Sequence, residues 1–164
     1  MTNQKNGVAL AIEAKSEPTP YVPTLPNMLH YCVKQYGDLH CVIHGEERLT
    51  FKDVAERSAE LALALLNAGV GKGTRIGLLM QNGADWIVNF LAIARIGAVL
   101  IPISTFSQPR ELQWVLNHCD AQILLTSDSY LGHDYLARLE EALPELISER
   151  DQYLASCPYL RNIF

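Results

Sequence analysis

Ile76-Gly77-Leu78-Leu79-Met80 is apolar on successive residues rather than on alternate ones, the pattern of a strand covered by helices on both faces. The same signature returns at Val99-Leu100-Ile101-Pro102-Ile103 and at Ile123-Leu124-Leu125-Thr126. Between the first two runs lies a helical segment that Asn82 is placed to cap. Trp86, Ile87, Phe90, Leu91 and Ala94 line one side of it and Gly97 stops it as a C′ residue. Between the second and third runs, Pro109 opens a helix that turns Leu112, Val115, Leu116 and Cys119 inward. Buried-type strands alternating with amphipathic helices make a β-α-β-α-β series, whose crossovers are overwhelmingly right-handed. The fold class is therefore α/β, with a parallel Rossmann-like sheet flanked by helices. Pro102 has no N–H to give a ladder, so its strand is expected to end or bulge there, or to lie at an edge.

On the amino-terminal side, Gly69 to Thr74 joins the series to a helix capped by Thr50, with Asp53 three residues on as an approximate capping box. The stripe Val54, Leu61, Leu65 with Ala55, Ala62, Leu66 keeps helical spacing, and Gly69 ends it. Before it, Leu39 to Ile43 and Arg48 to Phe51 are two β-prone runs separated by His44-Gly45-Glu46-Glu47, a hairpin signal. A first helix starts at the N-cap Thr24, carries Leu25, Met28, Leu29, Cys32 and Tyr36 on one face, and closes at Gly37 as its C′ residue. Residues 1–23, with Pro18, Pro20 and Pro23, show neither periodicity and read as a disordered tail. On the carboxyl-terminal side, a helix over Asp134 to Leu143 is stopped by Pro144, and Ile147 to Ser156 is ambiguous, compatible with a helix. Leu160 to Phe164 resembles the start of another strand, expected to end the chain with unpaired backbone groups.

Composition excludes several classes. The formal net charge of −5, with Lys and Arg scattered singly, leaves no basic stripe for nucleic acid. The longest apolar stretch, Ala98 to Ile103, is far short of the ~20 residues that span a bilayer. Residues 1–14 are too polar for a secretory h-region, so the cytoplasm is the expected compartment. Cys32, Cys41, Cys119 and Cys157 have no Cys-x-x-Cys spacing and read as buried free thiols. His40 and His44, in a strand, would stand about 13 Å apart, too far to share a metal.

Gly69-Val70-Gly71-Lys72-Gly73-Thr74 invites a phosphate-loop reading, but it follows a helix and precedes a strand, the reverse of that motif's context. A helix-to-strand turn is the better reading. Glu46-Glu47 and Glu140-Glu141 read as solvated charges, and Trp86 and Trp114 as residues that could line a ligand pocket but more often supply core area. Neither Gly-x-Ser-x-Gly nor a Gly-x-Gly-x-x-Gly after a strand occurs, which disfavours a hydrolase elbow and a dinucleotide binder. No residue qualifies as catalytic, cofactor-binding or metal-ligating.

Three passages nevertheless carry a family resemblance. Leu49-Thr50-Phe51-Lys52-Asp53-Val54 is similar to the early Leu-Thr-Tyr-x-Glu-Leu motif of the acyl-adenylate-forming (AMP-binding) superfamily. Gly71 to Asn82 resembles its Gly-Asp-x-Val-Ala-x-Leu-x-x-Asn segment, and Ala94 to Ile103 its Lys-Ala-Gly-Ala-x-x-Val-Pro-Leu motif. Their order and spacing, with Glu111-Leu112 and Leu124-Leu125-Thr126 following, make the combination specific, and the acyl-CoA synthetase type for fatty or aromatic acids is the nearest.

The resemblance implies ATP-dependent activation of a carboxylic acid to an acyl-adenylate, then thioester formation, with ATP, magnesium and coenzyme A as cofactors. It further implies that residues 24–164 are an incomplete amino-terminal subdomain, inactive alone. The family's Ser/Thr/Gly-rich ATP loop and the Lys of its carboxyl-terminal lid do not occur among these residues, so no site residue carries over. The alternative is a stand-alone protein-interaction module that uses an exposed sheet edge. Such an edge also makes self-association an expectation.

Overall fold

The computed structural model describes residues 18–148 and 154–164; the expected tail falls outside them up to residue 17, as do residues 149–153 of the ambiguous segment. Helix α1 (Leu25–Tyr36) begins where the extended Thr24 accepts a hydrogen bond from the Asn27 N–H, with a proline in the first turn. Gly37 ends it differently from expectation. Its φ of −46° is right-handed, and a Cβ there would stand 2.6 Å from the Val33 carbonyl oxygen, so the residue is glycine for want of space.

The antiparallel hairpin β1 (His40–His44) and β2 (Glu47–Thr50) turns at Gly45, which has φ +57°, the left-handed region that glycine enters without steric cost. Thr50 then caps α2 (Phe51–Asn67) in the reciprocal box the sequence indicates, Thr50 accepting from the Asp53 N–H while the Asp53 carboxylate accepts from the Thr50 N–H.

The α/β series follows as β3 (Arg75–Leu79), α3 (Ala84–Arg95), β4 (Val99–Pro102), α4 (Pro109–His118) and β5 (Ile123–Thr126). A small hairpin, β6 (Ser129–Tyr130) and β7 (His133–Asp134), leads into α5 (Tyr135–Ala142), α6 (Glu145–Ser148) and β8 (Asn162–Ile163). The main sheet is parallel throughout, in the order β4-β3-β5-β8. Pro102 meets both expectations at once, since β4 ends there and is an edge strand. The terminal strand differs from its reading. β8 is paired, Asn162 opposite Ile123 and Ile163 opposite Leu124, which leaves only its outer side open among the described residues.

Because β3 feeds α3 toward one edge and β4 feeds α4 back across β3, the two helices fall on opposite faces. Ile76, Leu78, Ile123 and Leu125 pack with Ala62 and Leu65 of α2 and Ala92 and Ile93 of α3. Leu79 and Leu124 pack with Leu112 and Leu116 of α4 and Leu139 and Ala142 of α5. A third cluster joins α1 (Leu29), the hairpin (Leu49), α2 (Val54) and α3 (Val88, Leu91), so one face of the hairpin is covered while Leu39 and Ile43 stay exposed.

Several local readings are corrected. The N-cap of α3 is Gly83, not Asn82, because the backbone stays extended one residue longer and the His44 ring lies 3.4 Å from where a Gly83 Cβ would be. The buried side of α3 is Ala84, Val88, Leu91, Ala92 and Ile93, because the helix is wedged between the sheet and the α1–α2 layer instead of presenting one stripe. Of the cysteines only Cys157 is buried; Cys41 is exposed beside the irregular step in β1, and Cys32 and Cys119 are half-buried. Trp114 supplies no core, since it is 63% exposed and stacks on His118 at 4.6 Å.

Candidate functional site at the carboxyl ends of the strands

Where adjacent parallel strands send their following loops to opposite faces, a crevice opens at their carboxyl ends, the usual ligand position in an open α/β sheet. In the order β4-β3-β5-β8 the reversal falls between β3 and β5, and beside it, at the ends of β3 and β4, lies a cavity of 480 Å³. Met80, Gln81 and Asn82 leave β3 into it, and Pro102, Ile103, Ser104, Thr105 and Phe106 line it from the end of β4 onward. Trp86 from the first turn of α3, Tyr130 of β6 and His44 of β1 complete the wall. A smaller hollow of 290 Å³ shares His44, Asn82 and Trp86 with it and continues along the hairpin over Val42 and Ile43. No Lys, Arg, Asp or Glu lines the larger cavity, which offers aromatic faces, amides, hydroxyls and the His44 imidazole.

The walls are held by hydrogen bonds both within the lining and from outside it. The Ser127 hydroxyl donates to Gln81 Oε1 at 3.0 Å, which leaves the Gln81 NH2 as the donor available to a ligand. Ser104 Oγ accepts from the Phe106 N–H at 3.2 Å, curling the loop after β4. Arg138 of α5 donates through Nη1 to the carbonyls of Thr105 at 2.8 Å and Ser107 at 3.2 Å. Its Nη2 lies 3.2 Å from His133 Nδ1, so one guanidinium ties the Thr105–Ser107 loop to the β6–β7 hairpin that carries Tyr130.

The glycine-rich loop stands at the other end of the sheet. Gly73 N–H donates to Gly97 C=O at 2.9 Å, Val99 N–H to Thr74 C=O at 2.8 Å, and Gly71 N–H to Thr74 Oγ1 at 3.1 Å. These amides are committed to closing strand entries and cannot cradle a phosphate, which agrees with the helix-to-strand reading.

The titratable groups outside the cavity serve the fold. Two hydrogen bonds from Thr50 hold the Asp53 carboxyl below its ordinary value, and desolvation lowers the Arg95 guanidinium, which donates to Ser58 Oγ and Ala55 C=O at 3.0 Å each. Burial pushes the Cys157 thiol from its ordinary 9.0 up to about 11. Among the described residues, no three His, Cys, Asp or Glu side chains converge. Among them too, no helix is long and apolar enough to cross a membrane.

Sequence reasoning named no site residue and missed this cavity. The signal was present in the polar pairs Gln81-Asn82 and Ser104-Thr105 that directly follow two buried strands, the positions from which such sheets bind ligands. For Trp86 the structure favours the pocket reading, putting that ring in the cavity wall.

Comparison with known proteins identifies the fold's relatives. Residues 29–158 match the AMP-binding enzyme family. The chain is 32% identical over 150 residues to the acyl-CoA ligase sidI of Aspergillus fumigatus, covering 83% of this chain and 25% of that protein. It is 30% identical over 150 residues to the acyl-CoA ligase SID4 of Ajellomyces capsulatus, covering 90% of this chain and 26% of that protein. A crystal structure of the anthranilate CoA ligase AuaEII with anthranoyl-AMP superposes with a TM-score of 0.70 at 23% identity, over 87% of this chain and 24% of that one. The chain thus spans about a quarter of the length of the curated relatives it matches. Through the order of its three structural motifs, its parallel sheet and this match across most of its length, the chain belongs to the AMP-binding enzyme family.

Proposed function

We propose that these residues serve an ATP-dependent carboxylic acid–CoA ligase, which forms an acyl-adenylate and then transfers the acyl group to coenzyme A. The observation that carries this reading is the family match over residues 29–158 together with relatives named acyl-CoA ligases at 30% identity or above. Residues 24–164 act in it as part of the amino-terminal domain, positioning loops at the carboxyl ends of the strands, with the cytoplasm as the working compartment. Alone they do not catalyse. Adenylate chemistry needs cations and preorganised donors at the transferring phosphates, and no Lys or Arg lines the described cavity.

The test is acid-dependent ATP–pyrophosphate exchange, run on the 164-residue chain and on the product of the complete reading frame. Expected is exchange, followed by CoA thioester, from the complete product only. Exchange by neither protein with any acid refutes the ligase reading; exchange by the short chain refutes its dependence on other residues.

A further inference from the structure

We propose that Cys32 of α1 and Cys41 of β1 form a redox site, closing into a reversible disulfide by exchange with a low-molecular-weight disulfide and so stapling the first helix to the hairpin. Cys32 lies one turn before Tyr36, the last residue of α1, which is about 6 Å along the helix axis. Cys41 lies two residues after Leu39, which is about 7 Å along an extended chain. Between these points the chain reverses at Gly37 and Asp38, where the Leu39 N–H donates to the Tyr36 carbonyl at 2.8 Å. The strand then runs back beside the helix. Leu29 and Leu49 share one cluster, Val33 and Val42 pack against it, and Val42 is the strand partner of Leu49. Similar travel on either side of one reversal brings the two cysteines level.

The direction of the Cys41 side chain comes from an irregularity in β1. Strict alternation would turn it to the opposite face of the ribbon from Val42. His40 pairs with Thr50 and Val42 with Leu49, which are adjacent on β2, so Cys41 is an extra residue without a partner of its own. A bulge of this kind re-aims the side chain it inserts. The sulfurs feel one another: burial raises the Cys41 thiol above its ordinary 9.0, and the nearby Cys32 raises it further.

Exchange takes two balanced steps. The Cys41 thiolate attacks one sulfur of the small disulfide, forming a mixed disulfide and releasing one small thiolate. The Cys32 thiolate then attacks the Cys41 sulfur and expels the second. Two cysteine thiols are oxidised, one small disulfide is reduced to two thiols, and the protons given up by the cysteines go to these. Only residues 33–40 lie inside the ring, so closing it costs little chain entropy. The other cysteines provide a control. Cys119 and Cys157 belong to a different cluster, and Cys157 is 1% exposed, so the thiolate that exchange requires is not presented there.

The experiment treats the folded 164-residue chain with glutathione disulfide and reads its intact mass and tryptic peptides. Cleavage after Lys34 separates the two cysteines, so a bridge appears as peptide 16–34 joined to peptide 35–48. Expected is loss of two hydrogens from the intact mass, this joined pair in the digest, free Cys119 and Cys157, and full reversal by dithiothreitol. Cys32→Ser should stop at the first step with one glutathione held on Cys41, and Cys119→Ser should bridge as the parent does. The oxidised chain should melt cooperatively and no lower than the reduced one, because a bridge between cysteines that are not neighbours in the native fold strains it. The parent alone decides the matter if a variant fails to fold. Glutathione adducts without the joined peptide, a bridge to Cys119 or Cys157, a Cys32–Cys41 bridge formed only in denaturant, a lowered melting temperature on bridging, or four cysteines left free overturns the proposal. None of these outcomes depends on ATP–pyrophosphate exchange, so the redox site and the ligase reading stand or fall separately.

Discussion

At the amino ends of the parallel strands the chain is closed by its own backbone, whereas at the carboxyl ends of β3 and β4 it opens into a cavity lined by side chains. Gly73 to Gly97, Val99 to Thr74, Gln122 to Arg75 and Arg161 to Gln122 are main-chain bonds that lock successive strand entries together. The opposite end takes its shape from Arg138, Ser127 and Ser104, whose side chains hold loops. Glycines that resemble a phosphate loop therefore mark the end with no site, and ordinary polar residues after apolar runs mark the end that has one. A glycine loop is a chemical signal only where a helix amino terminus follows it.

Both ends rest on one core, so the largest expected effect comes from the middle of the sheet. Leu124→Ala, at a fully buried position facing α4 and α5, should cost about 2–5 kcal/mol in chemical denaturation. An unchanged midpoint would mean that the two ends do not share this support. At the closed end, Gly97 has φ +70° with Lys72 Cγ 3.4 Å from a built Cβ. Gly97→Val should destabilise by about 1–2 kcal/mol, since a β-branched residue is poorly tolerated at positive φ, and should leave the amide shifts of the loops after β3 and β4 unmoved. Shifts in those loops in a folded Gly97→Val chain would break the separation of the ends.

Cys157 sits in the segment leading into β8, its Sγ 3.7 Å from the Gln113 carbonyl. Its thiol ionises near 9.0 when unfolded and near 11 when folded. Between those values the native chain keeps a proton that the unfolded chain has lost, so the contribution is complete below pH 9.0 and fades as pH rises toward about 11. Melting temperature measured across this window should fall more steeply for the parent than for Cys157→Ala; parallel slopes would contradict the burial of this thiol at the closed end. The smallest stability effect belongs to the open end. Phe106→Ala, at an exposed position, should shift stability by no more than about 0.5 kcal/mol, and a larger loss would give Phe106 a packing role instead of a rim role.

Much of the scaffold was legible because its signals are local. The Thr50–Asp53 box joins residues three apart, Gly97 and Gly45 betray positive φ by identity, and Pro102 stops its strand without tertiary help. The β6–β7 hairpin was missed because two-residue strands have no periodicity, and of its turn residues at positive φ, Leu131 at +48° and Gly132 at +78°, the glycine alone shows it by identity. The buried side of α3 was misread because a helix packed on two sides has no single stripe. The cavity was invisible for a further reason. Its wall joins His44, Gln81, Trp86, Phe106 and Tyr130 from five parts of the chain, and the Arg138 to Thr105 bond that shapes it spans 33 residues. Such convergence follows from topology, and no spacing rule expresses it.

The division between a closed end and an open end is tested most directly by amide hydrogen exchange of the 164-residue chain. The account predicts slow exchange at Gly73, Val99, Gln122 and Arg161, whose N–H groups bond across strand entries, and fast exchange at Gln81, Asn82 and Thr105 beside the cavity. Exchange as fast at the first four amides as at the last three would contradict it.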